Sequence, residues 1–369
     1  MIIRTIELKD FRNYETLAVE LSPGVNILVG KNAQGKTNLL EAVGYASTGR
    51  SHRTSYDKEC VRMGCSDAYI KVLYYNEKQQ QAENARTDSV EIHLRRNGNK
   101  SVAINRMPAA KINDLFGCIR TVLFSPEDLS LIKEGPAKRR RFMDMEICQV
   151  DKVYLYYLQQ YQKLLRQRNE LLKSEEKTNR PPDLSLVQVL NEQFAQTSLI
   201  LKQRRNVFIG QLMETAPPLH LRLSGGTENI TFSYDTNLPD TPEEIIMKLD
   251  ERWEQDLKTG STSVGPHRDD IEIDINGDDV RIYGSQGQKR TAALSMKLAE
   301  VEMMEKETGT PPILLLDDVM SELDESRQQL LVRSIEGRQT VITCTGVEDS
   351  LRKMDKARIF RVEKGTILA

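Results

Sequence analysis

A short glycine-bounded segment near the start of the chain limits the possible folds more than any other feature. Residues 28 to 43 read LVGKNAQGKTNLLEAV, in which Gly30, Gly35, Lys36 and Thr37 fit the pattern G-x-x-x-x-G-K-[ST]. An apolar run precedes the loop, and apolar residues at helical spacing follow it. The segment therefore predicts a strand, a phosphate-binding loop and a helix within an α/β fold.

The residue types in this loop suit the phosphates of a nucleotide. Glycines let backbone N–H groups converge on one anion, Lys36 supplies positive charge for the β- and γ-phosphates, and Thr37 offers a hydroxyl to Mg²⁺. Lys36 is also a predicted catalytic residue. The predicted nucleotide-binding residues of the loop are Gly30, Lys31, Asn32, Ala33, Gln34, Gly35, Lys36, Thr37 and Asn38.

Composition excludes several other classes of protein. The chain of 369 residues is 39% hydrophobic and 29% charged, and no stretch approaches the about 18 apolar residues of a membrane span. The first residues, MIIRTIELKD, lack the apolar core of a signal peptide. The five cysteines form no C-x-x-C pair, so buried free thiols explain them better than disulfides or a metal site. We expect a cytoplasmic protein without a membrane partner.

A nucleic-acid partner would need a local basic cluster, because the net charge is only −2. Four clusters are candidates, although each one alone is more readily explained as a solvated face. They are Arg50, His52 and Arg53; Arg95, Arg96 and Lys100; Lys138 to Arg141; and Lys202, Arg204 and Arg205.

The chain changes character along its length. The first 105 residues contain short alternating apolar runs that predict strands, and residues 79 to 88 predict an exposed loop. From Pro136 to Lys173 no internal glycine or proline occurs, which predicts one helix of about 50 Å. A second helical stretch follows SEEKTNRPPD, so we expect a short antiparallel hairpin. Its predicted core residues are Val150, Tyr154, Tyr157, Tyr161, Leu164 and Leu171, interrupted by Arg168, and Val187, Leu190, Phe194, Leu201, Phe208 and Leu212.

A pair of aspartates late in the chain predicts the second half of the nucleotide site. The apolar run Ile313 to Leu316 suits a central parallel strand and ends at Asp317 and Asp318. A carboxylate at the carboxyl end of such a strand, beside the phosphate loop, is where Mg²⁺ is held. Asp317 and Thr37 are therefore the predicted metal site. Asp318 is a predicted catalytic residue that would orient or deprotonate the attacking water.

Two further segments, together with the large insertion between these half-sites, resemble the ATP-binding-cassette (ABC) ATPase heads. YGSQGQKR, residues 283 to 290, resembles their signature loop, and SELD, residues 321 to 324, lies where they keep an interface loop. Ser285, Gly287 and Gln288 match the signature, whereas Gln286 departs from its first glycine. The loop at Lys36 already provides one phosphate site. A second anion site, at the N-terminus of the helix that follows Ser285, therefore suits the γ-phosphate of an ATP held by another copy. We expect an ATP-dependent homodimer.

The chain as a whole resembles the RecF family, bacterial recombination mediators related to SMC-type ATPase heads. The resemblance includes LKDFRNY, GKNAQGKTN, GRSHRT, LFSPEDLSLIKEGPAKRRRFMD, SVGPHRDD, SQGQKRT and LLLDDVMSELD. It implies sequence-independent binding of double-stranded DNA, slow ATP hydrolysis with Mg²⁺, and joint action with RecR and RecO in loading RecA during repair, replication restart and SOS induction. By position, Arg12 and Asn13 would reach the nucleotide, Glu127 and Asp128 would stand in the Q-loop segment, and Arg139 to Arg141 would lie near DNA or a partner.

These observations define an expected architecture and leave two alternatives open. We expect an α/β ABC-type ATPase head: residues 1–120 and 291–369 form a mixed β lobe with the phosphate loop, and residues 121–290 form a mainly helical lobe. Asp318 replaces the usual glutamate, and the switch histidine after the strand at Thr340 to Thr343 is missing, so we expect weak turnover. The alternatives are a transporter-type cassette subunit and a non-hydrolysing adaptor.

Overall fold

A computed structural model of the chain describes residues 1–76, 87–178, 184–346 and 357–368. The exposed loop predicted at residues 79 to 88 therefore lies almost entirely outside the described residues. The chain divides into two compact units, Met1–Asp128 with Leu294–Ala369, and Leu129–Ala293. The first boundary falls after Asp128 rather than at residue 120, because the strand Thr121–Phe124 pairs with Ile313–Asp317 in a sheet of the first unit.

The elements are numbered in chain order within the described residues. The strands are β1 (Ile2–Phe11), β2 (Tyr14–Glu20), β3 (Val25–Val29), β4 (Asp67–Tyr75), β5 (Asp88–Arg95), β6 (Ser101–Ile104), β7 (Met107–Pro108), β8 (Thr121–Phe124), β9 (Ile230–Asp235), β10 (Asp270–Ile275), β11 (Asp278–Asp279), β12 (Ile313–Asp317), β13 (Thr340–Cys344), β14 (Arg358–Glu363) and β15 (Thr366–Leu368). The helices are α1 (Lys36–Thr48), α2 (Ser130–Lys133), α3 (Pro136–Val150), α4 (Lys152–Thr178), α5 (Leu184–Leu223), α6 (Pro242–Glu251), α7 (Trp253–Thr259), α8 (Val280–Tyr283), α9 (Gln286–Thr308) and α10 (Glu325–Ile335).

The first unit contains two six-stranded sheets. One is antiparallel, in the order β2-β1-β4-β5-β6-β7, and it contains the strands predicted in the first 105 residues except β3, which belongs to the other sheet. Alternate residues of β4, such as Ile70 and Val72, are fully buried, as expected for a sheet with one face on the core. The packed side chains of this sheet and of α1 form one hydrophobic core.

The other sheet of this unit positions the candidate site. Its order is β15-β14-β3-β13-β12-β8, and all neighbouring strands are parallel except the β14–β15 hairpin. Ile313, Leu314, Leu315 and Leu316 of β12 are fully buried, which explains why this strand is a continuous apolar run. Since parallel strands end at the same edge of a sheet, the residues that follow β3 and β12 lie close together.

The second unit contains the helical hairpin, a small antiparallel sheet and several short helices. The sheet has the order β11-β10-β9. The single helix predicted from Pro136 to Lys173 is wrong, because α3 ends at Val150 and α4 begins at Lys152. Between them Asp151 is extended, with φ −120° and ψ 101°. Its carboxylate accepts hydrogen bonds from the backbone N–H groups of Val153 and Tyr154, which caps the start of α4.

The hairpin of α4 and α5 has most of the predicted core, although Tyr157 and Leu171 are only partly buried and Val150, also partly buried, belongs to α3. Tyr154, Tyr161 and Leu164 of α4 are buried, as are all six predicted core residues of α5. Arg168, which interrupts the apolar stripe, is itself only 1% exposed. It donates to Asp256 Oδ2 at 2.8 Å, so the buried charge is paired.

A second buried arginine connects α5 to the SVGPHRDD segment. Arg205 donates to Asp269 Oδ2 (2.7 Å), Asp144 Oδ1 (2.8 Å) and the backbone oxygen of Pro266 (2.6 Å). Asp269 is fully buried and also accepts hydrogen bonds from the hydroxyls of Tyr234 and Thr236. The network fixes the segment that leads into β10. Within the described residues, no helix is both long and apolar enough to span a membrane.

Candidate nucleotide-binding site

The glycine-bounded loop connects β3 to α1, as the sequence predicts. Gly35 is the N-cap of α1 and has a φ of 119°, a conformation that favours glycine. Lys36 is 6% exposed, and its Nζ donates to the backbone oxygens of Gly30 (2.6 Å) and Lys31 (2.9 Å). The lysine ammonium thus lies across the loop, next to the backbone N–H groups at the start of α1, and this arrangement can bind an anion.

The structure brings together the two residues of the predicted metal site. The Thr37 hydroxyl donates to Asp317 Oδ1 at 2.8 Å, and the Thr343 hydroxyl donates to the same oxygen at 2.8 Å. Carboxylate and hydroxyl oxygens are the ligands that Mg²⁺ prefers, so these residues fit that ion. Two threonines stand near the position where the switch histidine is missing: Thr343 is buried at the site, and Thr345 is exposed.

Asp318 has a different environment from Asp317. Its φ is 53°, an uncommon conformation for a residue other than glycine. Its backbone N–H donates to the Thr343 hydroxyl at 2.9 Å, and its backbone oxygen accepts from the Ser321 hydroxyl. Its carboxylate makes no hydrogen bond or ion pair to any residue that the structure describes. This side chain is therefore free to meet a water molecule or a phosphate.

Asn13 and Asn38 support the loop through their side chains. The Asn13 amide nitrogen donates to the Gln34 backbone oxygen at 2.9 Å, and the Asn38 amide nitrogen donates to Asn13 Oδ1 at 2.8 Å. The Tyr14 hydroxyl donates to the Gly35 backbone oxygen at 3.0 Å. Both asparagines lie at the loop, where the sequence places them, but these bonds hold the loop itself. Their contact with a nucleotide stays a prediction.

Arg12 is held by a residue that sequence reasoning missed. Its Nε and Nη2 donate to the two carboxylate oxygens of Glu41 at 2.9 and 2.6 Å, and its Nη1 donates to the Glu59 backbone oxygen. Glu41 is fully buried on α1. Although burial acts to raise the pKa of Glu41, the hydrogen bond and charge of Arg12 hold it below the usual value. Most Arg12 donors are thus engaged, and the predicted phosphate contact must compete with Glu41.

Glu127 and Asp128, predicted for the Q-loop segment, differ in exposure and in hydrogen bonding. Asp128 Oδ2 accepts from the backbone N–H of Ser125 at 2.8 Å, which closes a turn after β8. Burial raises the pKa of Asp128 to about 6, while the charge of Lys297 acts in the opposite direction. Glu127 is exposed. Glu127 is thus the more available of the two carboxylates.

The signature residues belong to the second unit and form a helix cap. The Ser285 hydroxyl accepts from the Gln288 backbone N–H (3.2 Å), while Gln288 Oε1 accepts from the Ser285 backbone N–H (2.8 Å). This reciprocal pair is a capping box at the start of α9. Among the described residues, the backbone N–H groups of Gln286 and Gly287 have no partner. They are the donors that this helix start offers to an anion.

Most residues of the predicted basic clusters are bonded within the protein. Arg139, predicted near DNA or a partner, is 3% exposed and donates to both carboxylate oxygens of Asp270 at 2.7 Å, so its guanidinium is engaged within the protein and its position near DNA or a partner stays a prediction. Burial lowers the pKa of His52, which disfavours its cationic form. Arg96, Lys100, Lys202 and Arg205 also bond to carbonyl or carboxylate oxygens, whereas Arg50, Arg95 and Arg141 are exposed, as is Lys138, which pairs with Glu134.

Comparisons with known proteins agree with this fold. The family described as the RecF/RecN/SMC N terminal domain matches residues 2–367. The chain is 44% identical over 369 residues to the DNA replication and repair protein RecF of Agathobacter rectalis, covering 100% of this chain and 99% of that protein. It is 39% identical over 373 residues to the same-named protein of Clostridium botulinum strain Okra, with the same coverage.

Solved structures are similar over the full length. One, described as the recombination mediator protein RecF with ATP in the RecFOR pathway, is 36% identical and has a TM-score of 0.91, covering 100% of this chain and 98% of that one. The Smc head domain of Pyrococcus furiosus, at 18% identity and a TM-score of 0.56 over 99% of this chain and 95% of that one, shares the fold alone. The predicted α/β ATPase-head fold is confirmed, and the chain belongs to the RecF family of DNA replication and repair proteins.

Proposed function

We propose that the chain is an ATP-dependent DNA-binding protein that dimerises on ATP and acts with RecO and RecR in loading RecA. The observation that supports this most directly is the meeting of Lys36, Thr37 and Asp317 at one edge of a parallel sheet. The relative of known structure, 36% identical over the whole chain, is described with ATP and within the RecFOR pathway. Family membership and site chemistry thus favour the same nucleotide.

The proposed dimer uses two anion sites for each ATP. The loop between β3 and α1 of one copy would bind the phosphates, and the start of α9 in the other copy would bind the γ-phosphate through its free backbone N–H groups. Two-fold symmetry then places two ATP molecules in one interface. ATP is in this way a ligand shared by both copies, and its hydrolysis removes that ligand.

The proposed enzymatic activity is slow hydrolysis of ATP. Thr37 and Asp317 would hold Mg²⁺, which would supply positive charge to the phosphates. Asp318, with no hydrogen-bond partner for its carboxylate among the described residues, would orient the attacking water. Because its side chain is one methylene shorter than glutamate, the carboxylate would stand farther from that water, which favours slow turnover.

DNA binding would depend on basic residues from both copies. Arg50, Arg95, Lys138 and Arg141 are exposed cations in a chain whose net charge is only −2. A dimer doubles their number on one assembly, and contacts to phosphates do not depend on sequence and weaken steeply with salt. We place this binding at duplex DNA beside single-strand gaps.

The adaptor alternative, in which ATP is not hydrolysed, predicts no phosphate release with or without duplex DNA.

Molecular mass in solution tests the proposal. With ATP and Mg²⁺, light scattering should show a dimer that binds duplex DNA at low salt, and a monomer should remain with ADP or without nucleotide. Lys36→Ala should abolish the ATP-dependent dimer because the loop loses its phosphate-binding charge. Lys58→Ala, which removes an exposed lysine of the same unit, is the control and should dimerise normally. Undiminished dimerisation of Lys36→Ala would contradict the role of that lysine.

A further inference from the structure

The hairpin formed by β14 and β15 lies directly against the phosphate loop. Its turn, Lys364 and Gly365, donates two backbone hydrogen bonds to a single loop residue. The Gly365 N–H donates to the Gln34 backbone oxygen at 2.9 Å, and the Lys364 N–H donates to Gln34 Oε1 at 2.8 Å. Parallel pairing of β14 with β3, in which Arg361 is opposite Val29, brings the turn to this place.

Two glycines make this close approach possible. A Cβ on Gly365, whose φ is 73°, would lie 2.4 Å from the backbone oxygen of Asn13. A Cβ on Gly30 would lie 2.3 Å from the backbone oxygen of Val362 in β14. Both separations are far shorter than van der Waals contact and involve backbone atoms, so neither position accepts a side chain without a shift of the loop or the hairpin.

The hydrogen bond from Gly365 fixes more than the position of Gln34. A peptide group is planar and trans, so the carbonyl of Gln34 and the N–H of Gly35 lie in one plane and point in opposite directions. The Gly365 N–H and the Asn13 amide both hold that carbonyl. They thereby set the direction of the Gly35 N–H. The Tyr14 hydroxyl does the same for the next peptide, whose N–H belongs to Lys36.

We propose that the turn Lys364–Gly365 is a positioning element for nucleotide phosphates, acting through Gln34 and Asn13 without touching the nucleotide. The donors of an anion site contribute most when they are already aligned before binding. The turn supplies this alignment from the far end of the sequence. The inference rests on the proposed binding of ATP to the same loop. It adds that phosphate affinity depends on residues that belong to no nucleotide-binding pattern.

Equilibrium titration with ATP at 25 °C, on variants shown by circular dichroism to be folded, tests this. Gly365→Ala should raise the ATP Kd by about tenfold or more, because the new Cβ clashes with the Asn13 backbone oxygen and pushes the Gly365 N–H away from the Gln34 carbonyl. Gly337→Ala is the matched control, since Gly337 has nearly the same φ, 74°, but nothing within 4 Å of its Cβ position. Its ATP Kd should equal that of the unchanged chain.

A second substitution separates the steric effect from backbone strain. Asparagine tolerates positive φ better than alanine but still has a Cβ. Gly365→Asn should therefore lose affinity as Gly365→Ala does, and recovery of the unchanged Kd would overturn the steric argument.

If the Gly365 variants do not fold, Gln34→Ala, which removes the side-chain acceptor of the Lys364 N–H, replaces them and should weaken ATP binding. Equal Kd values for Gly365→Ala and Gly337→Ala, or an unchanged Kd for Gln34→Ala, would overturn the proposal. Failure of the unchanged chain to bind ATP would instead refute the proposed function.

Discussion

The two adjacent aspartates after β12 differ in their partners and therefore in what they can do. Asp317 Oδ1 accepts from two hydroxyls, on α1 and β13, which fixes its position at the end of the phosphate loop. The Asp318 carboxylate has no such partner among the described residues, and its unusual φ turns the chain immediately after the strand. Identical side chains one residue apart thus fit separate roles, metal binding for Asp317 and water orientation for Asp318.

Asp318→Asn should slow hydrolysis and trap the ATP-bound dimer. The amide keeps the size of the side chain but is a poor base, and loss of a positioned general base costs about 10²- to 10⁴-fold in rate. Single-turnover phosphate release from ATP measures the step directly. Glu325→Gln, which changes an exposed carboxylate of α10, should leave the rate unchanged. An unchanged rate for Asp318→Asn would exclude Asp318 as the water-positioning group.

Among the elements, α4 and α5 show how charged residues can belong to a core. Arg168 lies in the apolar stripe of α4, and Arg205 lies on α5. Both guanidinium groups are almost completely buried. Their partners, Asp256 and Asp269, lie far away in the sequence. Because removal of water from a charge is costly, such arginines are tolerated only when the carboxylates reach them. The hairpin and the SVGPHRDD segment therefore depend on each other.

Asp269→Ala should destabilise the second unit strongly. Arg205 would keep one carboxylate partner, Asp144, but the variant would leave part of a buried charge uncompensated, a change that costs about 3 to 5 kcal/mol. Urea unfolding followed by circular dichroism measures the loss. Lys138→Ala breaks the exposed pair with Glu134 and should cost no more than about 0.5 kcal/mol. Similar losses for both variants would show that the Arg205–Asp269 pair contributes little.

At the scale of the whole molecule, the two parts of the proposed composite site belong to different compact units. The phosphate loop and both aspartates are in the unit built from the two ends of the chain, and Ser285 is in the other. The helical insertion that separates the half-sites in sequence therefore forms a unit of its own. In the proposed dimer, the signature residues of one copy act on the nucleotide of the other.

Ser285→Arg should block dimerisation without preventing ATP binding. The larger, positively charged arginine side chain would occupy the start of α9, where the γ-phosphate held by the other copy is proposed to bind. The phosphate loop of the same copy is unchanged. Light scattering and ATP titration on the same samples separate the two properties. Ser233→Arg, on the exposed face of β9, is the control and should still dimerise. Loss of ATP binding by Ser285→Arg would contradict the assignment of its phosphate contact to the other copy.

The sequence by itself determined the local parts of the site. The strand, loop and helix around Lys36, and the apolar strand that ends at Asp317, follow from spacing and residue type, because backbone conformation and burial impose short periods on a sequence. The buried stripe of α4 was predictable in part, at Tyr154, Tyr161 and Leu164. The break at Asp151 was not predictable from periodicity, because one capping side chain starts a new helix where the apolar pattern continues.

Only the tertiary structure decided which partners these residues have. Arg12 pairs with Glu41, Arg139 with Asp270, and Gln34 with the turn at Gly365, and none of these pairs is marked by a local pattern. An arginine in an exposed basic cluster and an arginine in a buried ion pair look the same in the sequence. Whether an arginine meets water, DNA or a carboxylate depends on which distant strand or helix the fold places beside it, since charge is tolerated in the interior only with a partner.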